Sequence, residues 1–294
     1  MKKFFKWFSI FIILVLVYGI YESTSKNKLS EDKSEQADNK KEEKVVNVIN
    51  EKYATPILTE KEEALIKNLI KDDFSIFADN GKSQFKYDYV VTTAKNMFSV
   101  YDKNQVKGDT SFKGKSIIIS GVVGSINSGI GDIPYVVLKA GDMFDGVHLS
   151  FKKDYRTLAG DLNKGQKVTY ACIGDSVIVG TPTLKNCQPV SAVKDKIADD
   201  EVKKISDSLK TKSPDEYAVT MYSMSAAMVI LNDVNKNKCK DTDIECLIKP
   251  LKSKENKLSE IEKNNKLSDE QVIKLKNIQF LFNKIKENKI EKSE

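Results

Sequence analysis

Ser116-Ile117-Ile118-Ile119-Ser120-Gly121-Val122-Val123-Gly124-Ser125-Ile126 is the stretch that decides the fold. β-Branched residues fill it, and they suit a pleated, half-buried surface. Glycine inside a strand marks a bulge or a tight bend. Gly121 and Gly124 therefore predict a strand that coils. Further strand signals follow at Pro134–Lys139, Gly146–Lys152, Gln166–Gly174, Ser176–Val179 and Cys187–Val190. Short strands separated by Gly, Asp and Asn turns imply a small barrel or sandwich.

Tyr155–Leu162 reads as a short helix between the third and fourth strands. Five strands with a helix at that place is the order of an OB barrel. Upstream, Thr59-Glu60-Lys61-Glu62 is a capping-box signature, with Ala64, Leu65, Leu69 and Ile70 at helical spacing behind it. A second helix is predicted over Tyr89–Tyr101. Downstream, Ser213-Pro214-Asp215-Glu216 reads as N-cap, N1 proline and N3 acid, opening a helix to about Asn232. Ser268-Asp269-Glu270-Gln271 opens another, with an apolar stripe of Val272, Leu275, Ile278, Leu281, Phe282 and Ile285. A middle helix near Ile244–Ile261 is interrupted by Pro250. A three- or four-helix bundle is expected there.

The chain has 294 residues, which allows about two domains. It opens Met1-Lys2-Lys3-Phe4-Phe5-Lys6, and no charged residue occurs from Trp7 to Tyr21. This predicts a membrane-spanning helix near the lower length limit, with the lysines inside and the rest outside. No A-x-A site follows, so an uncleaved signal anchor is favoured over cleavage near Ser23–Ser25. No Cys follows the run, which excludes a lipoprotein anchor. Residues 22–53 are mostly Lys, Glu, Asp, Asn and Ser. They bury too little surface to offset ordering entropy, so they read as a tether with a reach of roughly 30 Å.

Four cysteines occur, at Cys172, Cys187, Cys239 and Cys246. An even count in an exported chain reads as disulfides, and three connectivities are open. The pairs 172–187 and 239–246 are the local ones. The spacings do not fit the close cysteine pairs of a zinc site.

The inventory for catalysis is thin. His148, Arg156 and Trp7 are the only residues of their types, and the net charge of +6 is carried by dispersed lysines near acids. That reads as a solvated surface. Gly108–Ser116 mimics a phosphate loop but has one residue too many and precedes a strand. Asp241-x-Asp243-x-Glu245 resembles the start of a calcium loop, but Cys246 and Lys252 stand where Gly and Glu belong. Met221, Met224 and Met228 share a helix face, read as core packing rather than a copper site. No metal and no cofactor are expected.

Five pieces stand in order between Tyr101 and Cys187. They are Tyr101-x-x-Asn104 with Phe112-Lys113-Gly114-Lys115; Ser120-Gly121-Val122-Val123-x-Ser125-Ile126; Pro134-Tyr135-Val136-Val137-Leu138; Leu162-x-Lys164-Gly165-Gln166-x-Val168; and Cys172-x-Gly174 with Leu184-x-x-Cys187. Together they resemble the exported bacterial OB-fold family called "tRNA anticodon-binding-like". The resemblance implies the OB fold and an extracytoplasmic, non-enzymatic character. It does not imply tRNA binding.

The usual ligand face of an OB barrel lies on strands two and three. Alternation turns Val136 and Leu138 to one side and Tyr135, Val137 and Lys139 to the other. On strand three, Val147, Leu149 and Phe151 read as buried, and His148, Ser150 and Lys152 as outward. Tyr135, Lys139, His148, Ser150 and Lys152 are thus the candidate ligand patch, with no catalytic residue. Between Phe112 and Val190 nine basic residues stand against six acidic ones. That small excess makes nucleic acid an unlikely partner on sequence grounds.

The expected fold is α+β. It comprises a signal anchor or transmembrane helix (1–21), a disordered tether (22–53), a helical lead-in (54–111), a five-stranded OB-like β-barrel (112–192) and a helical bundle (193–294). The expected function is a membrane-tethered, extracytoplasmic, non-enzymatic binding or adaptor module with an envelope protein partner. An oligonucleotide- or oligosaccharide-binding surface protein is the alternative. A hydrolase using Asp142, Asp145 and Asp154 comes third. The sequence leaves the oligomeric state open.

Overall fold

The computed structural model describes residues 57–142, 145–211 and 213–234, with scattered positions from 239 to 285. The expected anchor and tether, and most of the helix expected near Ile244–Ile261, lie outside the described residues. The elements are α1 (Glu60–Asn80), β1 (Val90–Thr93), α2 (Ala94–Lys103), α3 (Gln105–Phe112), β2 (Ser116–Ser128), β3 (Pro134–Lys139), β4 (Gly146–Phe151), β5 (Lys167–Ile178), β6 (Thr181–Pro189), α4 (Val190–Leu209) and α5 (Glu216–Val234), with 3-10 turns at Ile130–Asp132 and Lys153–Asp161. The chain is α+β with a six-stranded sheet.

The contacts divide the chain into two units. One is residues 70–198; the other combines residues up to Leu69 with those from Asp199 onward.

In the first unit the strand order is β1-β2-β3-β4-β6-β5, and β5 pairs again with β2. The long strand β2 makes this possible. Ser116–Val122 pairs antiparallel with β5, and Val122–Ser128 pairs antiparallel with β3. The register shifts between Val123 and Ser125, so Gly124 is the extra residue of a bulge. β4 and β6 run parallel, joined at His148–Thr183 and Leu149–Leu184.

The unbroken run Ile117-Ile118-Ile119 follows from burial on both faces. Ile117 and Ile119 enter a core with Val136, Leu138, Leu149 and Leu184, capped by Ala94 and Met97 of α2. Ile118 enters a second core with Phe74, Phe77 and Val193. Phe74 meets Tyr87 edge-on at 4.9 Å.

Several positions of the five ordered pieces have local reasons. Tyr101 lies against Phe112 at 5.9 Å. Asn104 caps α3 by accepting from the Lys107 N–H at 3.0 Å. Gly165, at φ +91°, donates to the Val123 carbonyl, and Gln166 accepts from the Val123 N–H, both at 2.8 Å. This ties the turn before β5 to the bulge in β2.

Four expectations are corrected. The helix expected over Tyr89–Tyr101 begins as strand β1. Val90–Thr93 pairs parallel with Ile117–Ser120, and sheet pairing claims these β-branched residues. Thr93 then caps α2, accepting from the Asn96 N–H at 3.1 Å. Ser176–Val179 is not a separate strand, because β5 runs through from Lys167 to Ile178. The last strand starts at Thr181, ahead of Cys187. Finally, the cap of α5 is Asp215, whose carboxylate accepts from the Ala218 N–H at 2.8 Å, rather than Ser213.

In the second unit the capping box of α1 forms. The Thr59 N–H donates to Glu62 Oε2 at 2.8 Å, and the Glu62 N–H donates to Thr59 Oγ1 at 3.4 Å. Glu62 is fully buried, and its other oxygen pairs with Lys274. Lys274 also lies 5.9 Å over the Tyr222 ring. Burial, and then the Glu62 charge, push the Tyr222 hydroxyl well above its ordinary range. Met221, Met224 and Met228 are buried, as core residues should be. Ser268 and Gln271 exchange the capping bonds expected of them. Ile278 and Leu281 are buried; Val272 and Phe282 lie outside the described residues.

All four cysteines are paired, as Cys172–Cys187 and Cys239–Cys246. The first joins neighbouring strands β5 and β6 inside the core. It closes a separation of 15 residues. Replacing both cysteines by serine is expected to cost about 3 kcal/mol in urea unfolding. Gly174 gives a sharper test. A Cβ there would sit 1.9 Å from the Phe112 carbonyl oxygen. The surrounding backbone is held by Gly114 N–H to Gly174 O and Gly174 N–H to Lys115 O, both 2.9 Å. Gly174→Ala is expected to cost roughly 3 kcal/mol or more. Gly160→Ala, which meets open space, should stay within about 0.5 kcal/mol of the parent.

Candidate functional site

The site is built on β3 and β4 by strand alternation. Val136, Leu138, Val147, Leu149 and Phe151 point into the core. Their neighbours point the other way and form cross-strand rows. Asn127, Tyr135 and Ser150 are in register across β2, β3 and β4. Ser125, Val137, His148 and Thr183 form the next row, which reaches β6. Lys139, opposite Gly146, ends the face.

Tyr135 and His148 are diagonal neighbours across β3 and β4. Their rings lie 5.3 Å apart at 33°. The β2–β3 loop approaches the tyrosine as well, since a Cβ on Gly129 would stand 3.4 Å from Tyr135 Cδ1. The Asn127 amide donates to Ser125 Oγ at 2.9 Å. Thr183 Oγ1 donates to the Ser176 carbonyl at 2.7 Å. The face is therefore two flat rings framed by a hydroxyl, an amide and a methyl-bearing row.

Of the expected patch, the structure brings Tyr135, His148, Ser150 and Lys139 onto one face. Lys152 lies past the end of β4, where its backbone N–H donates to the Cys187 carbonyl at 3.0 Å. Ser125, Asn127 and Thr183 were not legible as members. The bulge at Gly124 inverts the alternation of β2, so counting by twos from Ile117 sends Ser125 inward. Thr183 precedes the residues read as the last strand.

The carboxylates considered for a hydrolase lie in two separate turns. Asp142 and Asp145 meet in the β3–β4 turn, where the Asp145 carboxylate accepts from the Asp142 N–H at 3.0 Å. Asp154 sits on the separate 3-10 turn. Asp243 accepts from the Cys246 N–H at 3.0 Å, as a helix cap does; Asp241 and Glu245 lie outside the described residues. Among the described residues no three His, Cys, Asp or Glu side chains gather to hold a metal ion.

Burial lowers the His148 pKa below its ordinary 6.5. The imidazole is thus neutral at pH 7 and offers a ring, one donor and one acceptor rather than a charge. Because it is the only histidine, its NMR signal is unambiguous. The titration midpoint should lie below 6.5. The unfolded chain takes up that proton more readily, so stability should fall as pH drops below about 6.5. His148→Gln should remove this part of the pH dependence of urea unfolding.

No curated protein matches the chain. A crystal structure from Klebsiella pneumoniae subsp. pneumoniae, provisionally described as a nucleic acid-binding lipoprotein, is 20% identical and covers 33% of this chain and 90% of its own, with a TM-score of 0.28. That similarity is too low for an inference to be drawn from it. The family comparison is broader, for the model described as tRNA_anti-like matches residues 1–188. The match takes in the lead-in helices and all six strands but for Pro189, and by it the chain belongs to the tRNA_anti-like family.

Proposed function

We propose that this chain is a membrane-tethered, extracytoplasmic binding module that carries no chemistry of its own. In this reading β2, β3, β4, β6 and β5 form an OB-type barrel, and the outward face of β3 and β4 holds the ligand. One observation carries it. Tyr135 and His148 present a half-buried ring pair on an outward face that also carries Ser125, Asn127, Val137, Lys139, Ser150 and Thr183. Such rings bury much area at little entropic cost, which suits recognition rather than proton transfer.

The extracytoplasmic part rests on the four paired cysteines, which persist in oxidising compartments. The apolar run Trp7–Tyr21 behind Lys2, Lys3 and Lys6 supplies the anchor in this reading. Among the described residues no helix is long and apolar enough to cross a membrane. The ligand we favour is an envelope protein. Lys139 on the face and Lys152 beyond it provide modest positive charge, whereas tracking a phosphate backbone takes a basic groove. An oligonucleotide or oligosaccharide is the second reading, favoured by two neighbouring flat rings on which a base or sugar could pack.

The test is capture from envelope extract by the full chain with its disulfides intact, at low and high salt. Retention of one protein at high salt, weakened about tenfold or more by Tyr135→Ala, supports the leading reading. Recovery of nucleic acid or glycan only at low salt, also lost on Tyr135→Ala, moves the assignment to the second. Capture unaffected by Tyr135→Ala removes the face from the function.

A further inference from the structure

The β5–β6 hairpin ends in a feature that the ligand face does not account for. Ile178 pairs with Thr181, leaving a two-residue turn of Val179 and Gly180. Both have positive φ, 48° and 77°. Such a turn suits Asn-Gly, and valine is an outlier there because its branched side chain crowds the left-handed backbone. Val179 is nevertheless 99% exposed and Ile178 59% exposed. Packing within the described chain therefore gives no reason for either. From Ser176 to Leu184 no residue is charged. The nearest charges, Asp175 and Lys185, neutralise each other in an ion pair at 2.8 Å.

We infer that the Ile178-Val179-Gly180 tip is a membrane contact that inserts into the interfacial layer of the bilayer holding the N-terminal anchor. The proposal rests on the anchor reading above. A bilayer is favoured over other occupants on three grounds. The tip is apolar, it brings no charge to desolvate, and its backbone is already paired up to Ile178 and Thr181, so little unsatisfied polarity would enter the lipid. Two aliphatic side chains bind a free bilayer weakly. Residues 22–53 link the fold to the apolar run at 7–21. On the tether reading of its composition, that link would hold the module at an effective concentration of about millimolar, where weak insertion becomes contact.

The test uses the full chain in vesicles of phosphatidylethanolamine and phosphatidylglycerol, with and without brominated lipid. Trp7 is the only tryptophan of the parent chain, so its quenching by brominated lipid reads the anchor. In a Trp7→Phe, Ile178→Trp chain, the indole at position 178 reads the tip. Oxidised Cys172–Cys187 verifies the fold of each variant. The expected result is blue-shifted emission and severalfold quenching at position 178, both abolished by adding Val179→Asp. Quenching of Trp7 with none at position 178 overturns the tip and leaves the anchor standing. Absence of Trp7 quenching overturns the anchor, and the tip proposal with it. A blue shift at position 178 that needs no lipid and grows with protein concentration assigns the tip to a second copy of the chain, and overturns the proposal.

Discussion

The fold of residues 70–198 depends on one constraint, that β2 serves two partners in succession. A flat strand could not do this. Its first half lies against β5 and its second half against β3, and the change of partner occurs around Gly121–Ser125. A bulge raises local twist and lets the strand bend. The same bulge inverts which side chains face outward, so the core takes Val123 and then Ile126, and the outward face takes Ser125 and Asn127. The turn before β5 is clamped to this point through Val123. Loss of the bulge would therefore disturb both the pairing order and the face.

Chemistry on the face is set by what lies beneath it. Phe151, Leu149 and Cys187 fill the inner side, so β4 cannot shift without opening the core. His148 is held half-buried as a result, and burial keeps it neutral. Its ring then lies tilted against Tyr135 without the cost of desolvating a charge. The disulfide between β5 and β6 holds the strand next to β4, and so supports the row from Ser125 to Thr183.

The helical unit uses polarity differently. Glu62 is buried where an apolar residue would ordinarily pack, because it completes the cap of α1 and pairs with Lys274. Replacing such a pair with hydrophobic residues is often neutral, whereas removing one member leaves a buried charge. The pair joins the start of α1 to one position of the C-terminal segment. It thereby links residues far apart in sequence.

Local signals were legible where a residue's role depends on near neighbours. Thr59 with Glu62, Ser268 with Gln271, the outward alternation of Tyr135, Val137 and Lys139, and the bend at Gly124 all follow from spacing and side-chain chemistry alone. Cysteine number and spacing named the two local pairs among the possibilities, and the ordered pieces from Tyr101 to Cys187 named the family. Other features needed a partner distant in sequence. Val90–Thr93 became a strand because Ile117–Ser120 offered it a free edge. Thr183 joined the face because β6 begins early enough to run beside β4. Gly174 is required because Phe112 crosses it. The sequence by itself determined where segments cap, bend and turn, since those choices are made over a few residues by backbone sterics and hydrogen bonding. Only the tertiary structure decided which side chains share a surface, since register and burial depend on contacts whose separation along the chain no local pattern records.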